Sequence, residues 1–182
     1  PGTYQVRLTV DGVTRTEQFD LLKDPRLTEV TQADFVAQFD LAMAVHARFN
    51  DATMAVTRIR ALRGEVDDRV QSAADVQVTQ AGTALATNLR DVEGDLYEGG
   101  AEAQSDLKHF GTRLANHLSY LKGVVMGADA RNTQQSFQVL EEISVELDAH
   151  LERLELILGD ELDRFNDLLR EKGLPPVGRL IA

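Results

Sequence analysis

The side chains in this sequence that could do chemistry are four histidines and several close-set carboxylates. The histidines are His46, His109, His117 and His150. Glu146 and His150 stand four residues apart, a spacing that puts both on one face of a helix, where they could share a proton or a metal. They lie beside a leucine seam, and a solvated or hydrogen-bonded pair is the plainer reading. Di-iron bundles need Glu-x-x-His twice, with two further inward glutamates. No Glu-x-x-His occurs here, and its nearest analogue, Asp106-Leu107-Lys108-His109, occurs once. His46 sits beside Val45 and His117 beside Leu118, both near apolar stripes, as structural helix histidines often do. Asp67-Asp68, Glu141-Glu142 and Glu161 with Asp163 are paired carboxylates. Glycoside hydrolysis needs two carboxyls facing one cleft about 5–9.5 Å apart, and nothing in the sequence brings these pairs to a cleft. With no cysteine there is no thiol nucleophile, disulfide or cysteine zinc site. No Gly-x-Ser-x-Gly elbow is present, and Gly99-Gly100 lacks the Lys-Ser/Thr of a phosphate loop. No residue is therefore assigned a catalytic, cofactor-binding or metal-ligating role, and we expect neither enzymatic activity nor a cofactor in this chain.

Composition narrows the partners. The 182 residues include 30 acidic and 19 basic side chains, for a net charge of −11. Nucleic-acid binding needs clustered positive charge, so a nucleic-acid partner is not expected. Arg58, Arg60 and Arg63 are interspersed with Glu65, Asp67 and Asp68 and read as a salt-bridged surface. No run approaches the 18 or so apolar residues of a membrane span, so membrane insertion is not expected. Hydrophobic residues make up 43% of the chain, which suits a folded core.

Two kinds of element would position these residues. Over residues 1–24 the period is two: Tyr4, Val6, Leu8 and Val10 alternate with Gln5, Arg7 and Thr9, and Asp11-Gly12 suits a two-residue turn. The returning strand sets Tyr4 against Phe19, Val6 against Glu17, Leu8 against Arg15 and Val10 against Val13. Arg15 and Glu17 would lay their stems over the apolar face. A lone hairpin is marginal in water and has two open edges. It should pack on the helices, pair with another copy, or complete a larger sheet. Residues 25–30, opening at Asp24-Pro25-Arg26, read as a hinge.

From residue 31 to 182 the period is helical. Thr31-Gln32-Ala33-Asp34 resembles a capping box with Asp in place of Glu. One stripe runs through Phe35, Phe39, Ala42, Val45, Phe49, Ala52, Val56, Ile59 and Leu62, extended by Val66 and Val70. A turn follows at 72–75. The second stripe is Val78, Gly82, Leu85, Leu89, Val92 and Leu96. The third opens at Ser105 and runs through Leu107, Phe110, Leu114, Leu118, Leu121 and Val125. The fourth, Phe137, Leu140, Ser144, Leu147, Leu151, Leu154 and Leu158, alternates threes and fours like a heptad seam. Leu162, Phe165 and Leu169 continue it, either through a kink at Gly159 or as a short fifth helix capped by Asp160. Gly173 and Pro175-Pro176 end it. The expectation is a mainly-α fold: an up-down antiparallel four-helix bundle behind an N-terminal β-hairpin.

Three segments carry a resemblance. Pro1-Gly2-Thr3-Tyr4-Gln5-Val6-Arg7-Leu8-Thr9-Val10-Asp11-Gly12 resembles the last strands of a bacterial Ig-like module. Asp24-Pro25-Arg26 follows, and Phe165-Asn166-Asp167-Leu168-Leu169-Arg170-Glu171-Lys172-Gly173-Leu174-Pro175-Pro176 closes the helices. Together they are similar to the C-terminal region of bacterial Asp-box, sortilin-like β-propeller proteins, often labelled glycosyl hydrolases. Asn132-Thr133 departs from the Pro-Thr expected before the fourth helix. The resemblance implies an exported parent, periplasmic or extracellular, whose active or binding site lies on a propeller outside this chain. No Asp-box (Ser-x-Asp-x-Gly-x-x-x-Trp) is present, and the chain has no tryptophan. The chain itself would be a non-catalytic structural or interaction module, partnered by upstream propeller or Ig-like domains or by a second copy through the hairpin edge. The alternatives are a small-molecule or metal-binding bundle using His46, His109 or His117, and an accessory domain of a glycoside hydrolase. The start at Pro1 rather than methionine fits a segment of a longer polypeptide.

Overall fold

The computed structural model describes residues 1–97 and 113–178. Strands β1 (Gly2–Val10) and β2 (Val13–Leu21) form the hairpin. Its register is the one that the alternation and the Asp11-Gly12 turn predict: Tyr4 pairs with Phe19, Val6 with Glu17, Leu8 with Arg15 and Val10 with Val13. Asp11 and Gly12 both take positive φ, 50° and 79°, as a type I′ turn requires.

Residues 22–31 are a locally bonded connector. Asp24 accepts from the Arg26 backbone N–H at 2.9 Å and from its guanidinium. Lys23 Nζ donates to the carbonyls of Leu27 and Val30, and Val30 is buried. Helix α1 (Gln32–Ala73) then runs for 42 residues, about 63 Å at 1.5 Å per residue. Its start is the capping box: Asp34 N–H donates to Thr31 Oγ1 at 3.2 Å, and Thr31 N–H returns to Asp34 Oδ2 at 2.8 Å.

Helix α2 (Val76–Leu96) starts at Asp75, whose carboxylate accepts from the N–H groups of Gln77 and Val78. Helix α3 spans Leu114–Met126 and α4 spans Gln134–Leu156. A π-helical turn (Ile157–Glu161) joins α4 to α5 (Leu162–Glu171) without leaving helical backbone geometry. The fourth stripe is thus carried by one helix that continues past Gly159, not by a separate helix capped at Asp160. From Ile157, an ordinary turn would bring Glu161 to the core. The extra residue of the π turn brings Leu162 there instead, and leaves Glu161 half-buried against Asn88 of α2, 2.8 Å away.

The result is a mainly-α four-helix bundle behind a β-hairpin. Helix α1 is the longest element and is shared along its length: α2 lies along its C-terminal half and α3 along its N-terminal half. Helix α4 and its extension α5 run beside α1 in the same direction, with Arg48 bonded to Asp148 and to the Ser144 carbonyl, and Arg58 to Glu155. Helices α2 and α3 run against both.

All six residues of the second stripe are buried, as are Leu114, Leu118, Leu121 and Val125 of the third. Ser105, Leu107 and Phe110 lie outside the described residues. Two expected core positions are corrected. Phe39 is 64% exposed and Phe137 is 41% exposed, while Leu41, Ser136 and Ile143 are buried. At these helix ends the face turned inward depends on where the neighbouring helix lies, and threes and fours admit either choice. At the C-terminus, Gly173 takes φ 71° and Leu174 N–H bonds to Leu169 O at 2.8 Å, ending α5. Buried Asn166 then holds the tail by both its groups, accepting from Val177 N–H and donating to Val177 O.

Candidate functional site

The structure disperses the titratable residues singled out in the sequence. His150 turns toward α2, where Nδ1 lies 3.5 Å from Asp95, a carboxylate also approached by Arg153. Glu146 turns instead into a groove between α3 and α4. The Glu146–His150 pair therefore shares a helix and not a site. His46 takes the Asn50 side chain on Nε2 at 3.4 Å, and its Nδ1 is buried with no hydrogen bond among the described residues. His109 lies outside the described residues. Asp67, Asp68, Glu141 and Asp163 are exposed on outer helix faces. Among the described residues, no group of three or more His, Asp or Glu could hold a metal ion. No described helix is long and apolar enough to cross a membrane.

The arginine row of α1 is built into the bundle by acids from other helices. Arg60 and Arg63 both reach Glu93 of α2 at 2.6 Å, and Arg60 also lies over the Tyr97 ring, 5.4 Å from its centre. Asp75 and Asp34 have their carboxyls held below the ordinary carboxylate range. For Asp75 the chief cause is Lys172, and for Asp34 it is the Thr31 hydroxyl, followed by Arg131. These are charges fixed for structure at helix starts.

Two surface features remain. The first is the groove between α3 and α4, with a volume of about 780 Å³. Its floor is apolar, with Leu121, Val139 and Ile143, and its rim brings His117 from α3 near Glu142 and Glu146 from α4. Spacing along one helix could not reveal this grouping, because its members come from two helices. The second is the hairpin. Every residue of β1 and β2 is exposed, and the hairpin packs on no described helix. Among the described residues, its link to the bundle, apart from the chain itself, is the Gln32 side chain donating to Pro1 O at 3.2 Å.

Strand pleating sorts the hairpin into two unlike faces. One carries Thr3, Gln5, Arg7, Thr9, Thr14, Thr16, Gln18 and Asp20, stitched by Thr3–Asp20 and Thr9–Thr14 hydrogen bonds. The other carries Tyr4, Val6, Leu8, Val10, Val13, Phe19 and Leu21, each between 47% and 65% exposed, interrupted by Arg15 and Glu17. Tyr4 and Phe19 stack with ring centres 5.9 Å apart. The sequence made this face legible, and the structure adds that nothing in the described chain covers it. Compared with protein-family models, with characterised proteins and with solved structures, the chain matches none.

Proposed function

We propose that this chain is a non-catalytic structural and interaction module, in which a self-contained helical bundle carries an amphipathic hairpin for a partner. The observation behind this reading is the contrast between the two parts. The bundle buries its own leucine seams, while none of the described residues covers the hairpin's apolar face, a kind of surface that monomeric proteins seldom keep in water. On the resemblance of Pro1–Gly12, Asp24–Arg26 and Phe165–Pro176, the parent would be an exported propeller protein of the periplasm or the extracellular space. Any glycoside hydrolase activity would then reside outside these residues, with upstream domains among the partners.

A second reading, small-molecule binding, draws on the groove between α3 and α4, whose volume falls in the range of roughly 300–1,000 Å³ usual for ligand sites. Native mass spectrometry and metal analysis of the purified chain after chelation separate the two. The interaction module carries neither a retained small molecule nor stoichiometric zinc, iron or manganese. Retention of either one overturns it in favour of the second reading.

A further inference from the structure

The hairpin's apolar face is self-complementary about its own centre, at the Arg7–Thr16 pair. We propose that this face is a homodimer interface, closed by a second copy of the same hairpin laid face to face on a two-fold axis. The proposal rests on the interaction-module reading and names its partner.

The argument begins with the two charges. Arg15 and Glu17 are opposite in sign, two residues apart on β2, and on the face with the apolar side chains. Neither forms an ion pair in the hairpin, where their cross-strand neighbours are Leu8 and Val6. Place the two-fold axis between two facing hairpins, across the strands at Arg7 and Thr16. Strand β2 then covers the partner's β2 in the opposite direction. Arg15 meets the partner's Glu17, and Glu17 meets the partner's Arg15. An isologous interface makes each such contact twice.

The same axis matches sizes. At the open end of the hairpin stands the stacked pair Tyr4 and Phe19, and at the turn end the small pair Val10 and Val13. Rotation lays Tyr4 over the partner's Val10 and Phe19 over the partner's Val13, with Leu8 over the partner's Val6. Facing sheets about 10 Å apart are filled best when large side chains oppose small ones. Charge and volume are thus satisfied by one operation.

The area is of the right order. Seven half-exposed apolar side chains offer roughly 100 Å² each, about 700 Å² per copy, against the roughly 800 Å² per partner of a standard stable interface. Four strands in two sheets also cure the weakness of a lone two-stranded ribbon. Edge-to-edge pairing would extend the sheet and leave the same face wet.

Sedimentation velocity of the full chain, from micromolar to submillimolar concentration, tests this. The unaltered chain should dimerise reversibly. Arg15→Glu and Glu17→Arg should each weaken the dimer at least about tenfold, because each sets like charges against one another twice. Mixing the two variants should restore association as a heterodimer, since one then supplies two acids and the other two bases. A monomer throughout, with a different partner for the hairpin, overturns the proposal. A dimer indifferent to both substitutions overturns the face-to-face arrangement while leaving the interaction role intact. Retained metal or ligand would instead strike the underlying reading.

Discussion

Asp34 accepts from the hydroxyl and the backbone N–H of Thr31 and, through its other oxygen, from Arg131 at 2.9 Å. It therefore closes the first turn of α1 and ties that turn to the residues before α4. All three bonds favour the ionised carboxyl, whose proton affinity in the folded chain falls below its ordinary value of 3.8. The sign follows: the unfolded chain takes up the proton first, so Asp34 contributes fully above about pH 4, and the contribution is lost as the pH drops below 3.8 toward the folded value. Asp34→Asn should lower the thermal midpoint at neutral pH, and its gap from the unaltered chain should close in acid. Melting curves at a series of pH values check this. The sequence made the Thr31–Asp34 box readable because capping is local. Arg131 was not readable as its third member, since it stands 97 residues away. His150 shows the same limit. Its spacing from Glu146 fixed a shared helix face, but only the position of α2 turned it to Asp95.

At the scale of elements, the helices are held by close approach as much as by leucine. Gly82 lets α2 come against α1 and α5: a Cβ there would run into Val70 Cγ2 and stand 3.3 Å from the Phe165 ring. Val70 is β-branched and stiff at χ1, so it cannot easily yield. Gly64, in the middle of α1, has nothing within 4 Å of the same atom. Gly82→Ala should therefore destabilise by about 1–3 kcal/mol despite alanine's better helix propensity. Gly64→Ala should stabilise by about 0.5–1 kcal/mol. Denaturant titration of both variants decides it, and equal effects would refute the packing argument. The stripes already separate the two, since Gly82 is a member of the second while Gly64 falls between Leu62 and Val66 of the first. How near the next helix comes to Gly82 is tertiary, because the stripe gives the buried side of a helix but not that distance. The π turn belongs here too. The continuing stripe of Leu162, Phe165 and Leu169 was visible, while the added residue that brings it into line depends on the fixed position of α2.

Over the whole molecule, the hairpin and the bundle share one side-chain hydrogen bond, Gln32 to Pro1, and no packed surface among the described residues. They should melt independently. Leu8→Asp, at the middle of the apolar face, should abolish the hairpin's protection in amide exchange and shift the bundle's thermal midpoint by no more than about 2 °C. A larger shift would mean that the two parts are coupled. The sequence by itself determined whatever rests on near neighbours: the strand pairing through Asp11-Gly12, the cap at Thr31, the turn at 72–75, the stop at Gly173 and the inward faces of most helices. Period and turn chemistry are properties of a few adjacent residues, and they survive any arrangement of the elements. The tertiary structure decided which helix lies against which stretch of α1, that Phe39 and Phe137 face out, that Glu146 and His150 part company, and that no described helix covers the hairpin. Each of these depends on contacts between residues far apart in the chain, whose closeness is set by how all the apolar faces are buried together.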